Sequence, residues 1–366
     1  MTTYPVFSYG HDFGNSETCA VLNSMNGRYE RRIPSIASIG SWRKVLATAS
    51  GAGREVQEIL ASNHYVLEYD NAAEGRHVEK YIGQKVFDDG AKPMDSHGDS
   101  SRYWTNHYSL EMLMVGSAAM TSVHEYGLHV VTGLPISIYL DDPANVERVR
   151  QSLLGTHVFS LNGVQRVMHV ESVKVIMEGA GALIAYGSNQ DVLQGVIDVG
   201  GRTTDLYVAR GQKPRAANSK GFSLGVVAAA ERFSDKFREA YHYTLTFETR
   251  MELLKQHVSG APYRTVNDKE GVRIVDERVA ALLESALREI GQEIATQVVA
   301  TWDDILMEFD TILIVGGGAH YFAEDIQARI RRSRTSPKPE MANAAGYASL
   351  AEAAANKART QQQRGA

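Results

Sequence analysis

The sequence contains a single cysteine, Cys19, among its 366 residues. No disulfide can form within the chain and no zinc site of several thiolates can be built, which favours a reducing, cytoplasmic location. No run of about 18 uninterrupted apolar residues is present, and the first residues lack the basic and apolar segments of a signal peptide. The sequence therefore predicts neither a membrane-spanning helix nor secretion.

Two common site motifs are also missing, HExxH and GxxxxGK[ST], which argues against a zinc hydrolase and against a Walker-type phosphate loop. Positive charge is not in excess, because 38 basic residues face 43 acidic ones and the net charge is −5. Direct nucleic-acid binding is therefore not expected, and any association with DNA is expected to need an adaptor protein. We interpret the basic run at 329–334 as exposed surface or a polymer contact.

The composition is that of a globular protein, with 43% hydrophobic and 22% charged residues, and the length predicts two domains. Strands are predicted near 64–69, 78–82, 128–134, 155–161, 164–175 and 311–318, and helices at 54–61, 109–125, 141–154, 178–186, 224–241, 247–257, 276–309 and 340–357. The helix at 276–309 is expected to be interrupted, since helices beyond about 25 residues are unusual. Alternating strands and helices predict an α/β protein.

One pattern occurs twice, at 6–19 (VFSYGHDFGNSETC) and at 196–209 (VIDVGGRTTDLYVA). Each copy runs from a strand through an aspartate, glycine and hydroxyl residues into a second strand, which suggests duplicated halves. Backbone amides of a glycine turn can bind phosphate oxygens, and a nearby carboxylate can hold magnesium. The pattern therefore predicts nucleotide chemistry.

Four segments in this order carry a resemblance to a known superfamily: Asp12 with Gly14, EGAGA from Glu178, DVGGRTTD from Asp198, and GGGA from Gly316. The set resembles actin, heat-shock chaperones and sugar kinases. The text IDVGGRTTDL, VGGGAHYF and PEMANAAGYASLA is most similar to the plasmid-segregation actins of bacteria and archaea, the ParM or StbA-like group. The glycines alone are typical of tight turns, so the order of the segments carries the resemblance.

The resemblance implies an α/β fold of two actin-like (ribonuclease H-like) domains, each with a mixed central sheet flanked by helices, and a nucleotide cleft between them. Domain I is expected at 1–185 plus 341–366, with an inserted subdomain at about 31–105. Domain II is expected at 186–340, with a helical subdomain at about 226–310.

The resemblance also assigns roles to residues. Glu178 would orient or activate the attacking water, and Asp12 and Asp198 would hold Mg²⁺. Phosphate would be bound by Gly14, Asn15, Ser16, Gly200, Gly201, Arg202 and Thr203, and the nucleoside by Glu231, Lys236, Gly316, Gly317, Gly318 and Ala319. Arg202 departs from the small residue or threonine of many relatives.

The function implied is an ATPase that assembles with itself into a filament and acts in plasmid or DNA segregation. ATP is the expected nucleotide, with GTP left open, and no membrane partner is expected. Two alternatives remain, a phosphotransferase similar to sugar kinases and a non-polymerising scaffold that binds ATP. A sugar kinase would need an aspartate as general base where Glu178 stands.

Overall fold

The computed structural model of the protein describes residues 4–14, 16–40, 64–71, 75–83, 86, 103–104, 108–188 and 190–364. The chain divides into two compact units, Met1–Ala185 with Asn343–Ala366 and Tyr186–Ala342. The predicted helix at 54–61 and the candidate phosphate ligand Asn15 lie outside the described residues.

The first unit is built on a nine-stranded mixed sheet. Its strands are β1 (Val6–Asp12), β2 (Glu17–Ser24), β3 (Gly27–Pro34), β4 (Ala37–Ile39), β5 (His64–Asn71), β6 (Arg76–Gly83), β7 (Glu125–Leu134), β8 (Gly155–Leu161) and β9 (Val164–Met177), in the order β3-β2-β1-β7-β9-β8-β5-β6-β4. β1, β7 and β9 are parallel neighbours, and the other pairings are antiparallel. The described strands between 31 and 105 continue this same sheet.

Helix α1 (Tyr108–Ala118) is buried along its whole length, including the polar Ser109, Glu111 and Ser117. It contacts β2, β3, β5 and β8, and β3 also contacts β6, so the sheet curls around the helix. The buried Glu111 carboxylate accepts hydrogen bonds from Lys80 Nζ at 2.6 Å and Tyr69 OH at 2.7 Å, which compensates for its burial. The helices α2 (Ile136–Asp141), α3 (Ala144–Leu153) and α4 (Ala180–Tyr186) follow along the chain.

The second unit contains a smaller mixed sheet in the order β12-β11-β10-β14-β15, with β13 paired to β11. Its strands are β10 (Leu193–Val199), β11 (Thr204–Arg210), β12 (Lys213–Pro214), β13 (Lys220–Phe222), β14 (Thr311–Val315) and β15 (Ser333–Thr335). Its helices are α5 (Val226–Tyr241), α6 (Phe247–Ser259), α7 (Asp276–Trp302) and α8 (Ala319–Arg329). The last helix, α9 (Ala342–Arg364), returns the chain to the first unit from Asn343 onward. The predicted α/β class is confirmed.

Two predicted boundaries around α1 are wrong. The helix predicted at 109–125 ends at Ala118, because the side chain of Thr121 accepts a hydrogen bond from the amide of Val123 and offers the backbone an alternative to the helix. β7 begins at Glu125 rather than 128, since Glu125 and Tyr126 pair in parallel with Val167 and Met168 of β9, before the pairing with β1 begins at Gly127.

Other helix ends differ by smaller amounts. The helix predicted at 141–154 is α3 (Ala144–Leu153), which begins after Asp142, whose carboxylate accepts from the Ala144 amide at 2.9 Å; the short helix α2 before it was not predicted. The interruption expected in 276–309 is the end of α7 at Trp302, followed by a 3-10 turn at Leu306–Glu308. A 3-10 turn at Pro339–Met341 precedes α9, which begins two residues later than predicted.

Candidate functional site

The first predicted phosphate loop connects β1 to β2, and Asp12 is the last residue of β1, opposite Cys19. Gly14 is required there, because a Cβ would lie 2.2 Å from the carbonyl oxygen of Glu17. The hydroxyl of Ser35 donates to the Gly14 carbonyl at 2.6 Å, and Thr18 Oγ1 lies 3.1 Å from the Ser35 hydroxyl. Side chains of the neighbouring strands therefore hold this loop. Ser16 is exposed.

Glu178 follows the last residue of β9, and its amide donates to the Leu134 carbonyl at 2.9 Å. Because β1, β7 and β9 are parallel, their carboxyl ends meet at one edge of the sheet, which is where α/β proteins place their ligands. Asp12 and Glu178 both lie at that edge, separated by β7. Gly179 has a φ of 86°, a conformation that favours glycine, and turns the chain into α4.

Asn343 at the start of α9 fixes this turn. Its side-chain oxygen accepts hydrogen bonds from the amides of Gly179 at 3.1 Å and Ala182 at 3.2 Å, two of the four amides that the first turn of α4 leaves without helical partners. Close packing supports the contact, because a Cβ on Gly346 would lie 1.8 Å from the Gly181 carbonyl oxygen. Helix α9 therefore sets the position of the backbone that carries Glu178.

The second predicted phosphate loop, Gly200 to Thr203, joins β10 to β11 and packs against the first residues of α5. The carbonyls of Gly200 and Gly201 accept from the amides of Val226 at 3.3 Å and Val227 at 2.8 Å. Gly225 permits this approach, since a Cβ there would lie 2.6 Å from the Gly200 oxygen.

The direction of these carbonyls determines the direction of the amides. In a trans peptide the N–H points opposite to the C=O, so the amides of Gly201 and Arg202 point away from α5. Within the described part of the chain, the amides of Gly201, Arg202 and Thr203 donate no hydrogen bond. Successive amides of this kind form a concave site for an anion. The loop therefore fits a phosphate group.

Asp198 lies one residue before the end of β10, directly opposite Asp205 of β11. Both carboxylates are nearly buried, with exposed fractions of 9% and 2%. Facing residues of an antiparallel pair project from the same side of the sheet, so the two carboxyl groups lie on one face of the hairpin. Oxygen ligands of this kind suit Mg²⁺, so the carboxylates present fit the expected metal.

The third glycine turn packs on the end of β10 in the same unit. A Cβ on Gly316 would lie 2.4 Å from Asp198 Oδ1, and one on Gly318 would lie 2.7 Å from the Val199 oxygen. The Gly318 amide donates to that oxygen at 2.7 Å, and the Gly316 amide donates to Pro339. Gly317 has open space beside it and Ala319 begins α8. This turn, Asp198 and the second loop are therefore neighbours.

The remaining candidates lie further along or on the surface. Glu231 is exposed on α5, while the Lys236 ammonium binds Glu289 of α7 at 2.6 Å. Lys236 and Arg232 lower the pKa of Glu289 to about 2. Arg202 is exposed at the loop, and among the described residues its guanidinium forms no ion pair or hydrogen bond. These three side chains keep predicted roles that the geometry does not test.

Two polar residues near the predicted site, Asn343 and Asp205, have no role predicted from the sequence. Asn343 stands within the quoted segment PEMANAAGYASLA, but its partners Gly179 and Ala182 are more than 160 residues away and no local pattern reveals them. Asp205 closes the quoted DVGGRTTD, and strand alternation in a hairpin places it opposite Asp198. Counting the register of this hairpin along its two strands could have identified Asp205 from the sequence.

Within the described residues, no group of three or more His, Cys, Asp or Glu side chains is arranged as a preformed metal site. Among the same residues, no helix has the length and apolar character needed to cross a membrane.

Comparison with known proteins gives matches over nearly the whole chain. Residues 10–181 match the model of the actin like proteins N terminal domain, and residues 196–328 match that of the archaeal actin homologue MreB-like C-terminal domain. No curated protein matches the chain.

Three solved structures illustrate the shared fold. A ParM from a 15-stranded filament of Clostridium botulinum is 18% identical, with a TM-score of 0.73, 95% of this chain and 99% of that chain being covered. Ta0583, an archaeal actin homologue in complex with ADP, is 17% identical, with a TM-score of 0.68 and the same coverage of both chains. A Bacillus thuringiensis ParM with ATP is 14% identical, with a TM-score of 0.65 and coverage of 95% and 98%.

Proposed function

The chain belongs to the actin-like protein family, with its two-domain α/β fold of mixed sheets flanked by helices, and we propose that it is an ATPase that assembles into filaments. The observation that carries the proposal is the second loop. Its amides of Gly201, Arg202 and Thr203 donate no hydrogen bond to any described residue, and the loop lies beside Asp198 and the third glycine turn. The similar proteins solved with ADP and with ATP support a nucleotide as the ligand.

Each unit is proposed to carry its own set of phosphate-binding and metal-binding residues. Asp12, Gly14, Asn15 and Ser16 act from the first unit, and the second loop, with Asp198 and Asp205, acts from the second. The metal, when bound, would neutralise charge on the phosphate oxygens. The amides orient the phosphates through hydrogen bonds that need no side chain, and positioning of this kind supplies much of the rate of phosphoryl transfer.

Glu178 is proposed to hold the attacking water. Its carboxylate is half-buried at the carboxyl edge of the parallel strands, and the turn beneath it is fixed by Asn343 and by the contact of Glu178 N with Leu134. A carboxylate carried on a backbone fixed in this way can accept a hydrogen bond from water and align it with the terminal phosphate. Gly316, Gly317, Gly318 and Ala319 are proposed to contact the nucleoside, with Glu231 and Lys236 as weaker candidates.

Filament formation is proposed from the similar ParM filament, and a role in plasmid or DNA segregation through an adaptor protein extends it. ATP-dependent light scattering and pelleting of the purified protein test assembly, and electron microscopy with a slowly hydrolysed ATP analogue tests filament form. A protein that stays monomeric with ATP at high concentration contradicts the filament and favours the scaffold or the phosphotransferase.

Phosphate release with Mg²⁺ and ATP tests the enzyme. We expect Glu178→Ala to bind ATP and still assemble while phosphate release falls by about a hundredfold or more, as for loss of a positioned acid–base group. The matched control is Glu171→Ala, an exposed glutamate of the same strand whose partner is the Tyr4 hydroxyl at 2.7 Å. Turnover near that of the unmodified protein in Glu178→Ala would rule out the catalytic assignment. Absence of turnover in the unmodified protein would rule out the ATPase.

A further inference from the structure

A cavity of about 510 Å³ lies in the first unit at the C-terminal end of the buried helix α1. Its walls come from β3, β5, the β8–β9 hairpin and the chain that leaves α1, and they include Arg31, Tyr65, Met120, Leu161, Asn162 and Arg166. We call it the arginine cavity. None of these residues belongs to the phosphate loops or to the Glu178 turn, and the volume is that of a small-molecule site.

Two guanidinium groups enter the cavity without a carboxylate partner among the described residues. Arg31 donates to the Ala119 carbonyl at 3.3 Å, and Arg166 donates to the Val123 carbonyl at 2.8 Å. The Nε atoms of both arginines are buried, and neither has a hydrogen-bond partner. Glu30, the acidic residue of the lining, pairs instead with Arg28 at 3.2 Å.

Stabilisation of the end of α1 accounts for only part of this arrangement. A cation near the last carbonyls of a helix is favourable, and each arginine satisfies one carbonyl of the segment that follows α1. Each guanidinium has five N–H donors, however, and among the described residues each uses one of them in these contacts. The remaining donors of two positive charges therefore favour a ligand rich in acceptor oxygens.

The part of the wall formed by the β8–β9 hairpin is held rigidly. Asn162 has a φ of 53°, in the left-handed region, in the turn between β8 and β9. Its side chain accepts from the Val66 amide at 2.7 Å and donates to the His64 carbonyl at 3.1 Å, which fixes the hairpin to β5. Tyr65, Met120 and Leu161 add nearly buried apolar surface, with exposed fractions of 4%, 8% and 7%. The cavity lining thus includes both charged and apolar side chains.

We propose that the arginine cavity binds a small organic anion, a phosphate or carboxylate group carried on a compact apolar body. The planar donor forks of Arg31 and Arg166 match the oxygens of such a group, and the apolar wall accommodates its body. The lining contains no residue of either phosphate loop, so this ligand and a nucleotide would be bound by different residues.

Phenyl phosphate is a suitable probe, and the Nε–H resonances of the two arginines in the isotope-labelled full chain are the readout. We expect phenyl phosphate to shift both resonances, and Arg31→Lys with Arg166→Lys to weaken its binding about tenfold or more, because lysine keeps the charge but loses the fork. The control is Arg148→Lys, an exposed arginine of the same unit paired with Asp142, which should leave affinity unchanged. Binding of inorganic phosphate and of benzoate, measured in the same way, tells whether the cavity prefers a phosphate or a carboxylate group.

Three results would overturn the proposal. These are no shift of either Nε–H resonance in the unmodified protein, equal affinity in the doubly substituted protein, and binding of an acidic peptide such as hexaglutamate through these arginines without binding of phenyl phosphate. Circular dichroism verifies that the substituted chain is folded. The resonance shifts in the unmodified protein keep the test decisive if it is not.

Discussion

Gly346→Ala is the substitution whose steric consequence the structure defines most sharply. The new Cβ would lie 1.8 Å from the Gly181 oxygen, 2.5 Å from its carbonyl carbon and 2.8 Å from its Cα. All three atoms are backbone of α4, so no side chain can rotate away. Helix α9 must move from α4 by roughly 1.5 Å, and overpacking of this kind costs about 1–3 kcal/mol.

The intrinsic preference of helices for alanine opposes this cost by about 1 kcal/mol. Because backbone contacts relax less readily than side chains, we expect the upper part of the range and a net loss of about 2 kcal/mol in the free energy of unfolding. The same displacement moves Asn343 from the amides of Gly179 and Ala182, so phosphate release should fall as well.

Gly291→Ala is the matched control. Gly291 also lies inside a helix, α7, and its added Cβ would lie 2.6 Å from Oδ2 and 2.8 Å from Cβ of Asp325 in α8. The carboxylate can rotate away but the Asp325 Cβ cannot, so α8 must shift slightly. This steric cost should be smaller than that of Gly346→Ala and largely offset by the helix preference for alanine, a net change within about 1 kcal/mol of zero.

Urea denaturation followed by circular dichroism measures both variants, and hydrogen exchange of peptides from α4 and α9 localises the effect. Faster exchange in those two helices is expected for Gly346→Ala alone. A Gly346→Ala protein as stable as the unmodified one, with unchanged exchange in α4 and α9, would refute the close-packing argument.

Three further predictions concern single groups. Asn343→Ala should lower the free energy of unfolding by about 1 kcal/mol, because a helix cap is lost, and should reduce turnover more than nucleotide affinity. Asn145→Ala removes a buried asparagine bonded to Ile138 and Arg148 and should lower stability alone. Equal turnover in the two variants would contradict a positioning role for Asn343. Gly225→Ala should weaken ATP binding measured by calorimetry, because its Cβ would press on Gly200 and Gly201. Unchanged affinity would show that this contact does not orient the loop amides. Burial lowers the pKa of His11 to about 3, so the contribution of the neutral imidazole to stability is complete above a pH of about 6.5 and is lost as the pH falls toward 3. Between these two pH values, His11→Gln should reduce the slope of unfolding free energy against pH by up to about 1.4 kcal/mol per pH unit. An unchanged slope in urea titrations would contradict this prediction.

The elements that the sequence predicted well are those with local signals. The hairpins β1–β2 and β10–β11 stand where strand, aspartate and glycine follow one another, and Glu178 lies at the predicted junction of strand and helix. Helix ends were less predictable, because side chains such as Thr121 and Asp142 compete locally with the helix. The spacing of apolar residues, from which helices are predicted, gives no sign of these side-chain hydrogen bonds.

Long-range contacts could not be read from the sequence at all. Tyr103 and Tyr108, for example, are buried in the core of the first unit, and no local pattern indicates which distant residues cover them. The cap by Asn343 and the convergence of Arg31 and Arg166 on one cavity join segments more than 130 residues apart. Periodicity specifies which face of an element is buried, but not which distant element covers it.

The glycines of the two units serve one physical purpose that links the fold to the proposed chemistry. Gly10 allows β1 to touch the backbone of α9 at Ala344 and Ala348, and Gly225 allows α5 to touch the second loop. In both places a helix holds the backbone next to a predicted phosphate loop without an intervening side chain. For the second loop the consequence is explicit, because the contact turns two carbonyls toward α5 and therefore turns the amides of Gly201 and Arg202 away from it. The glycines beside the loops, as much as those within them, orient the donors that a phosphate would need.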